Sequence, residues 1–346
     1  MKAIFKKYTL NFKKPGGTSR GILYNKETYF LILKESNKVG IGECAVFKGL
    51  SFDDKPDYEA TLQWLCNNIH KKEAFLLDQL KEFPSMQFGL EQALLSLKSE
   101  HSFELFPSKF TQSKSGIPIN GLIWMGDEAF MRQQIKEKLK TGFTTLKMKI
   151  GAIDFDTEIE LLKKIRNEFS AKEIELRVDA NGAFSPKNAL EKFKKLSDLQ
   201  IHSIEQPIKS GQLYEMAKLC SISPVPIALD EELIGVIDVT KKEELVQIIN
   251  PQYIILKPSL IGGYKGSMEW INLAKNKNIG WWVTSALESN VGLNAIAQWT
   301  FLLDNLMPQG LGTGGLFTNN INCPLVVEKG RLHYDNNKNW NNTILN

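Results

Sequence analysis

The sequence predicts an α/β protein, a closed (β/α) barrel preceded by a smaller α+β domain, and three observations predict it. The first hundred residues read as strands followed by helices, the order of an α+β unit. From about Ile117 short strand-like runs alternate with stretches of helical period, the order of a βα array. Within that array Lys149, Asp179, Glu205, Asp230 and Lys257 follow one another at intervals of 30, 26, 25 and 27 residues. A strand with its crossover helix takes roughly 30 residues. Each ionisable group therefore ends a different strand, as in a barrel that assembles one site from distant sequence.

The elements follow in order. AIFKKYTLNF and TYFLILKES read as strands, separated by the turn-rich KKPGGTSRG, and NKVGIGECAVF continues as a hairpin-like segment. YEATLQWLCNNI sets Leu62, Leu65 and Ile69 on one helical face, and GLEQALLSLKS does the same with Leu90, Leu94 and Leu97. IPINGLIWM opens the array as a strand, followed by EAFMRQQIKEKLK with Met131, Ile135 and Leu139 at helical spacing. FTTLKMKI is the next strand, and FDTEIELLKKIRNEF places Ile159, Leu162, Ile165 and Phe169 on one face. IELRVDA, IHSIEQ, PVPIAL, YIILK and GWWVTS are further strands, and GLGTGGLF supplies a short last strand with a glycine-rich loop. The total is about eight strands, the count for a closed barrel. PLVVEKGRLHY, after Cys323, reads as a hairpin returning to the first domain. The expected division is residues 1–115, completed by 323–346, and a barrel over 116–322.

Composition excludes several classes. The net charge of +4 is the small difference between 43 basic and 39 acidic residues that alternate along the chain, so no nucleic-acid tract is expected. No apolar run approaches about 18 residues, and the N-terminus lacks the apolar core of a signal peptide. No membrane association is expected. Cys44, Cys66, Cys220 and Cys323 form no CxxC pair and are read as reduced thiols of a cytoplasmic protein.

Asp179, Glu205 and Asp230 end three successive strands, whose ends converge at one barrel mouth. Three carboxylates there repel one another, and a hard divalent ion, Mg²⁺ or Mn²⁺, resolves the repulsion with oxygen-only ligands. Lys149 and Lys257 flank the acids in strand order, and Lys147 shares the strand face of Lys149. A lysine near a metal and other cations can be pushed toward a pKa near 7 and act as a general base. One lysine on each side gives a base and an opposing cation around a bound carbon acid, with Lys147 able to pair a ligand carboxylate instead. Arg177 and Asn181 bracket Asp179 at two-residue spacing and are candidate substrate contacts, as are Ser285 and Glu288 beyond it. Gln206 and Glu231 follow ligands directly and are expected to face away or to brace them. The glycines of GLGTGGLF are candidates to present amides to a substrate anion. His70, His101, His202 and His333 lie off the strand ends and receive no catalytic role.

KMK, RVDAN, IEQP, LDEE and LKP at these intervals resemble the enolase superfamily, in its lysine-pair, muconate-lactonizing-enzyme-like branch. The resemblance spans nearly the whole chain and implies a modified (β/α)7β barrel with an N-terminal α+β capping domain. It implies Mg²⁺ on Asp179, Glu205 and Asp230. It makes Lys149 the base that removes a proton α to a carboxylate, and Lys257 a stabiliser of the resulting enediolate. GIGECAVFKGLS, TSRG and SALESNVGLNAIAQW are most similar to members that dehydrate a hydroxycyclohexadiene carboxylate. Related members epimerise dipeptides, racemise N-acylamino acids or cycloisomerise muconate. The likeness adds Thr18 and Ser19 as substrate contacts, and it makes Lys13–Gly21 and Phe47–Asp54 lids over the mouth. The expected partner is a small carboxylate. Two other readings stand beside these: a metal-free Schiff-base enzyme using Lys149 or Lys257, which borohydride would trap, and a binding scaffold, which would show a broken set of acids and lysines.

Overall fold

The computed structural model describes residues 1–18 and 21–341. Alternating side chains in the first stretch build β1 (Lys2–Thr18), β2 (Gly21–Glu35) and β3 (Lys38–Cys44), an antiparallel sheet in chain order. The described part of KKPGGTSRG, residues 13–18 and Gly21, is strand rather than the expected loop. β1 and β2 pair from Lys2↔Lys34 to Asn11↔Asn25, break their register, and resume at Gly16↔Leu23. The irregularity contains Pro15, which has no N–H to give a ladder and belongs at a bulge.

Three helices follow, α1 (Tyr58–Asn68), α2 (Glu73–Gln79) and α3 (Pro84–Lys98). The sequence reading omitted α2, whose seven residues are too few for a period to emerge. It also began α3 at Gly89, whereas Pro84 starts the helix in the first-turn position where proline is pre-organised. α3 lies on β3 through glycines. A Cβ at Gly42 would stand 1.9 Å from the Gly89 carbonyl oxygen, and one at Gly40 would stand 2.3 Å from that of Ala93. Leu31, Leu33, Leu62, Leu65, Met86 and Leu90 fill the core between sheet and helices.

The second part begins with β4 (Ile117–Pro118) and β5 (Gly121–Ile123), two strands where the sequence suggested one. It continues as α4 (Glu128–Lys140), β6 (Thr145–Lys149), α5 (Phe155–Glu168), β7 (Glu175–Asp179), α6 (Pro186–Ser197), β8 (Ser203–Glu205), α7 (Leu213–Ile222), β9 (Ile227–Leu229), α8 (Val239–Ile249), β10 (Tyr253–Leu256), α9 (Gly263–Asn276), β11 (Gly280–Val283) and α10 (Asn290–Leu302). Strands β5 to β11 are parallel neighbours in chain order. Aspartates start the helices where their crossovers begin: Asp127 accepts from Phe130 N at 2.8 Å and Asp154 from Thr157 N at 3.0 Å. Ile159, Leu162 and Ile165 of α5 are buried as their spacing predicts.

Gln309 and Gly310 close the ring. They bridge Ile119 on one side and Thr284 on the other, both parallel. Gln309 also accepts from Val283 N at 2.7 Å through its side chain. The hairpin β12 (Leu325–Glu328) and β13 (Arg331–Tyr334) pairs with β4, not with the sheet of β1–β3. Its surroundings are the connector between the two parts: Tyr334 packs on Phe110, and Trp340 stacks on Phe103 at 4.0 Å. All four cysteines are unpaired and three are buried. No helix among the described residues is long and apolar enough to cross a membrane.

Glu91 of α3 joins the two parts by accepting from Tyr264 N at 2.6 Å and Lys265 N at 3.1 Å, in the first turn of α9. Burial pushes its carboxyl up to about 7, against those two amides. The folded protein therefore holds this proton more tightly than the unfolded chain. The associated stability is full below the ordinary glutamate pKa of 4.5 and is lost as pH rises through about 7. In urea unfolding at pH 4.5 and 7.5, Glu91→Gln is expected to reduce the fall in stability between the two by about 3 kcal/mol; an unchanged fall would refute the assignment. Gly42→Ala is expected to lower the unfolding free energy by about 1–3 kcal/mol through overpacking. Gly315→Ala, where nothing stands within 4 Å of an added Cβ, should stay within about 0.5 kcal/mol.

Candidate active site

Register places the predicted groups side by side. Lys149, Asp179 and Glu205 are direct Cα partners across β6, β7 and β8, Asp230 follows the last residue of β9, and Lys257 follows the last of β10. Lys147 and Lys149 point to the barrel interior from one face of β6, as two-residue spacing requires. Lys147 donates to Glu205 Oε2 at 2.6 Å and to Asp179 Oδ2 at 3.2 Å. Lys149 donates to the same Asp179 oxygen at 2.8 Å and to Asn181 Oδ1 at 2.5 Å, while Lys257 donates to Asp230. Three acids thus face three ammonium groups.

The pairing sets the proton affinities. Burial alone would raise Asp179, but Lys149 and Lys147 outweigh it and hold the carboxyl well below its usual range. Glu205 is pushed up to about 8, by burial first and by the charge of Asp179 second, against the pull of Lys147. Lys257 stays above the ordinary lysine value, because Asp230 and Glu205 overcome the effect of burial.

Supporting residues hold the acids in place. Gln206, at φ +36°, turns its side chain back under the next strand. Its Oε1 accepts from Asp230 N at 3.1 Å and Glu232 N at 3.2 Å, and its Nε2 donates to Ile208 O at 3.0 Å. Asn181, at φ +43°, donates from its backbone to Asp179 Oδ1 at 3.0 Å and from Nδ2 to Glu231 Oε1 at 2.9 Å. Gln206 and Glu231 are the braces their positions suggested.

As the side chains lie, no three His, Cys, Asp or Glu residues among the described residues stand close enough to share an ion, each acid having turned to a lysine. The donor set nevertheless fits a hard divalent cation. It is oxygen-only, it comes from three adjacent strand ends, and Glu205 Oε1 is buried with no hydrogen-bond partner. Rotation of lysine ammonium groups away from these acids would free the oxygens a cation needs.

Lys147, Lys149, Asp179 and Lys257 floor a pocket whose apolar walls are Phe47, Leu50, Leu122, Trp124, Ala286 and Leu287. Asn120, Asn181, Thr284, Ser285 and Thr313 add polar atoms, and Ser285 Oγ lies 2.6 Å from Thr313 Oγ1. Sequence reasoning missed Asn120, Leu122 and Trp124. The signal was present, since they alternate along the first barrel strand just as Lys147 and Lys149 do along the next.

Two expected substrate contacts lie elsewhere. Arg177 points inward one layer too deep. It donates to Glu175 at 2.7 Å and to Pro308 O at 2.9 Å, and it stacks 4.4 Å over Trp282 in the barrel floor. Glu288 is buried behind the wall, accepting from Ser259 Oγ and Ala286 N. Ser19 and the Thr18 side chain fall outside the described residues. Of the glycine-rich segment, Gly310 N is spent on Val283 O in closing the ring, at 2.8 Å, while Gly312 lines the pocket. Of the two segments expected as lids, residues 13–18 of the first form the end of β1, and the second reaches the pocket through Phe47 and Leu50. Gly17 bridges Met125. In the other, Phe47 N donates to Ser51 Oγ and Gly49 N to Asp54 Oδ2, each at 2.7 Å.

Comparison with known proteins agrees with this geometry. Residues 130–337 match the model of the enolase C-terminal domain-like family. An o-succinylbenzoate synthase of Desulfotalea psychrophila is 46% identical, over 96% of this chain and 98% of that protein. The crystal structure of MenC from the same organism superposes with a TM-score of 0.85 at 43% identity, covering 96% of this chain and 99% of that one. A muconate lactonizing enzyme of Pseudomonas fluorescens, 22% identical, has a TM-score of 0.82 over 96% and 92% of the two chains and shares the fold.

Lys147 is the cation between two buried acids, so Lys147→Met leaves Glu205 without an ammonium partner and Asp179 with Lys149 alone. The expected loss is about 3–5 kcal/mol of unfolding free energy in chelator, part of it recovered on adding Mg²⁺. Equal loss with and without Mg²⁺ would refute the shared role of these acids.

Proposed function

This chain belongs to the enolase C-terminal domain-like family, and we propose that it dehydrates 2-succinyl-6-hydroxy-2,4-cyclohexadiene-1-carboxylate to o-succinylbenzoate in menaquinone biosynthesis. The observation that carries this is the near-full-length relation to an o-succinylbenzoate synthase, in a chain whose pocket presents Lys149 and Lys257 from opposite sides.

Asp179, Glu205 and Asp230 would hold Mg²⁺, with Mn²⁺ as a substitute. When bound, the cation supplies electrostatic stabilisation to the charge that develops on the substrate carboxylate. Lys149, as the free amine, takes the proton from the ring carbon that bears that carboxylate. The electron pair left behind spreads into the carboxylate as an enediolate, and Lys257 places its ammonium against that charge. The bond to the ring hydroxyl then breaks on the same face. Lys149 returns its proton to the leaving hydroxide, which departs as water, and the ring becomes aromatic. Asn181 holds Lys149 at 2.5 Å and so orients its nitrogen. In this reading residues 1–115 form a cap over the barrel of 116–322, with Phe47 and Leu50 excluding water from the pocket. Ser285 is a substrate contact. Four unpaired cysteines support a reducing, cytoplasmic setting.

A second reading is epimerisation or racemisation of an acylated amino acid, favoured by one feature, the placement of two lysines across a single pocket. An ultraviolet assay for o-succinylbenzoate, run beside N-succinylamino acids and dipeptides in deuterated solvent, separates the two. Aromatisation supports dehydration, and α-deuterium exchange without it supports the second reading. Lys149→Ala is expected to reduce kcat by on the order of 10²–10⁴-fold while calorimetry still records Mg²⁺ uptake. Asp230→Ala is expected to lose that uptake. Substantial turnover by Lys149→Ala would sink the mechanism.

A further inference from the structure

Behind Phe47, outside the proton-transfer site, three charged side chains are buried together where the N-terminal sheet meets the barrel. Lys26 on β2 is 6% exposed, and Glu43 on β3 and Glu288 after β11 are 0%. Glu43 accepts from Thr28 Oγ1 at 2.8 Å, and from Ser289 N at 2.9 Å and Gly292 N at 2.8 Å at the start of α10. Glu288 accepts from Ala286 N at 2.7 Å, which fixes the turn where Leu287 takes φ +63°. The two acids adjoin: a Cβ added at Gly292 would stand 2.8 Å from Glu288 Cβ and 2.9 Å from Glu43 Oε2.

Lys26 differs from both. Its ammonium has no hydrogen-bond partner. It stands 6.0 Å from the centre of the Phe47 ring, and the carboxylates acting on it are Glu43 and Glu288. A buried charge without a hydrogen bond is expensive; burial pulls Lys26 below the ordinary lysine value, and two acids on opposite sides of the seam oppose that pull. Phe47, in front of Lys26, and Ser285–Leu287, in front of Glu288, are two walls of the pocket.

We propose that Lys26 is a positioning residue: its charge balances Glu43 and Glu288 across the seam, and so holds Phe47 and the Ser285–Leu287 wall in register around the substrate. This rests on the reading of that pocket as the substrate site. A lysine that merely fills space would be replaceable by methionine. A charge-balancing lysine is not, unless one of the acids is neutralised with it.

The test is a double-mutant cycle on the full chain with Lys26→Met and Glu288→Gln. Lys26→Met is expected to lower kcat/KM for the cyclohexadiene substrate at least tenfold, mostly through KM, with Mg²⁺ affinity within twofold of wild type. Adding Glu288→Gln is expected to recover most of that loss. Thermal midpoints are expected to follow the same order, lowered in Lys26→Met and restored in the double variant. Lys26→Met within twofold of wild type in kcat/KM, or a loss that Glu288→Gln leaves unrepaired, overturns the proposal. If Lys26→Met does not fold, the double variant must fold and match Glu288→Gln alone within threefold, and failure there overturns the proposal equally. Wild-type protein that does not aromatise the substrate would overturn the functional reading instead, and the order of midpoints would still decide the role of Lys26.

Discussion

Like charge crowded at neighbouring strand ends is the constraint around which this molecule is arranged. Asp179, Glu205 and Asp230 are each at most 2% exposed. Two unit charges 4 Å apart in such surroundings interact by roughly 4 kcal/mol at an effective dielectric near 20, a sizeable part of the net stability of a domain. The barrel answers with lysines from β6 and from the residue after β10, interleaved so that each acid has an ammonium within reach. This balance keeps Asp179 ionised and ties the two lysines that flank the pocket to its floor.

The same constraint explains the backbone beneath the site. Acids at strand ends are useful only if the chain turns sharply after them. Asn181 and Gln206 do so in left-handed conformations, and each uses its side-chain amide or backbone N–H to brace a neighbouring acid. The cap supplies the remaining walls, and its attachment adds buried polar contacts to apolar ones such as Phe88 on Tyr264. Glu43 and Glu91 each accept from amides in the first turn of a barrel helix, where the helix dipole favours negative charge. Such contacts fix orientation as well as adhesion, which suits a cap whose Phe47 and Leu50 must meet the mouth at one angle.

Much of this was legible in the sequence because the information is periodic. A spacing near 27 residues with an ionisable group at each strand end is a one-dimensional record of a barrel mouth, and Lys149, Asp179, Glu205, Asp230 and Lys257 meet there. The two-residue period that puts Arg177 on the inner face, however, carries no measure of depth. Arg177 faces inward and still lies in the floor, stacked on Trp282. Glu288 failed differently: it is close to Ser285 in sequence, but the turn at Leu287 sends it behind the wall. Asn120 and Trp124 escaped notice because apolar and amide side chains on a strand look like packing until the ring is closed. The hairpin after Cys323 was visible as a hairpin, but its partner strand, β4, is two residues long and has no signature of its own.

Closure of the ring by Gln309 and Gly310 has a kinetic consequence. The bridge joins Ile119 to Gln309, contacts far apart along the chain, and loop-closure entropy must be met before such pairings reward it. The N-terminal sheet is in the same position, because Asn319 binds Thr9 O and Asn11 N. During synthesis neither part can complete its contacts until residues beyond 309 have left the ribosome. Until then β5 and β11 present bare edges, the surfaces on which nascent chains aggregate. Chaperone demand should therefore concentrate in that interval, and ribosomes stalled just short of it should release the most protease-sensitive intermediates.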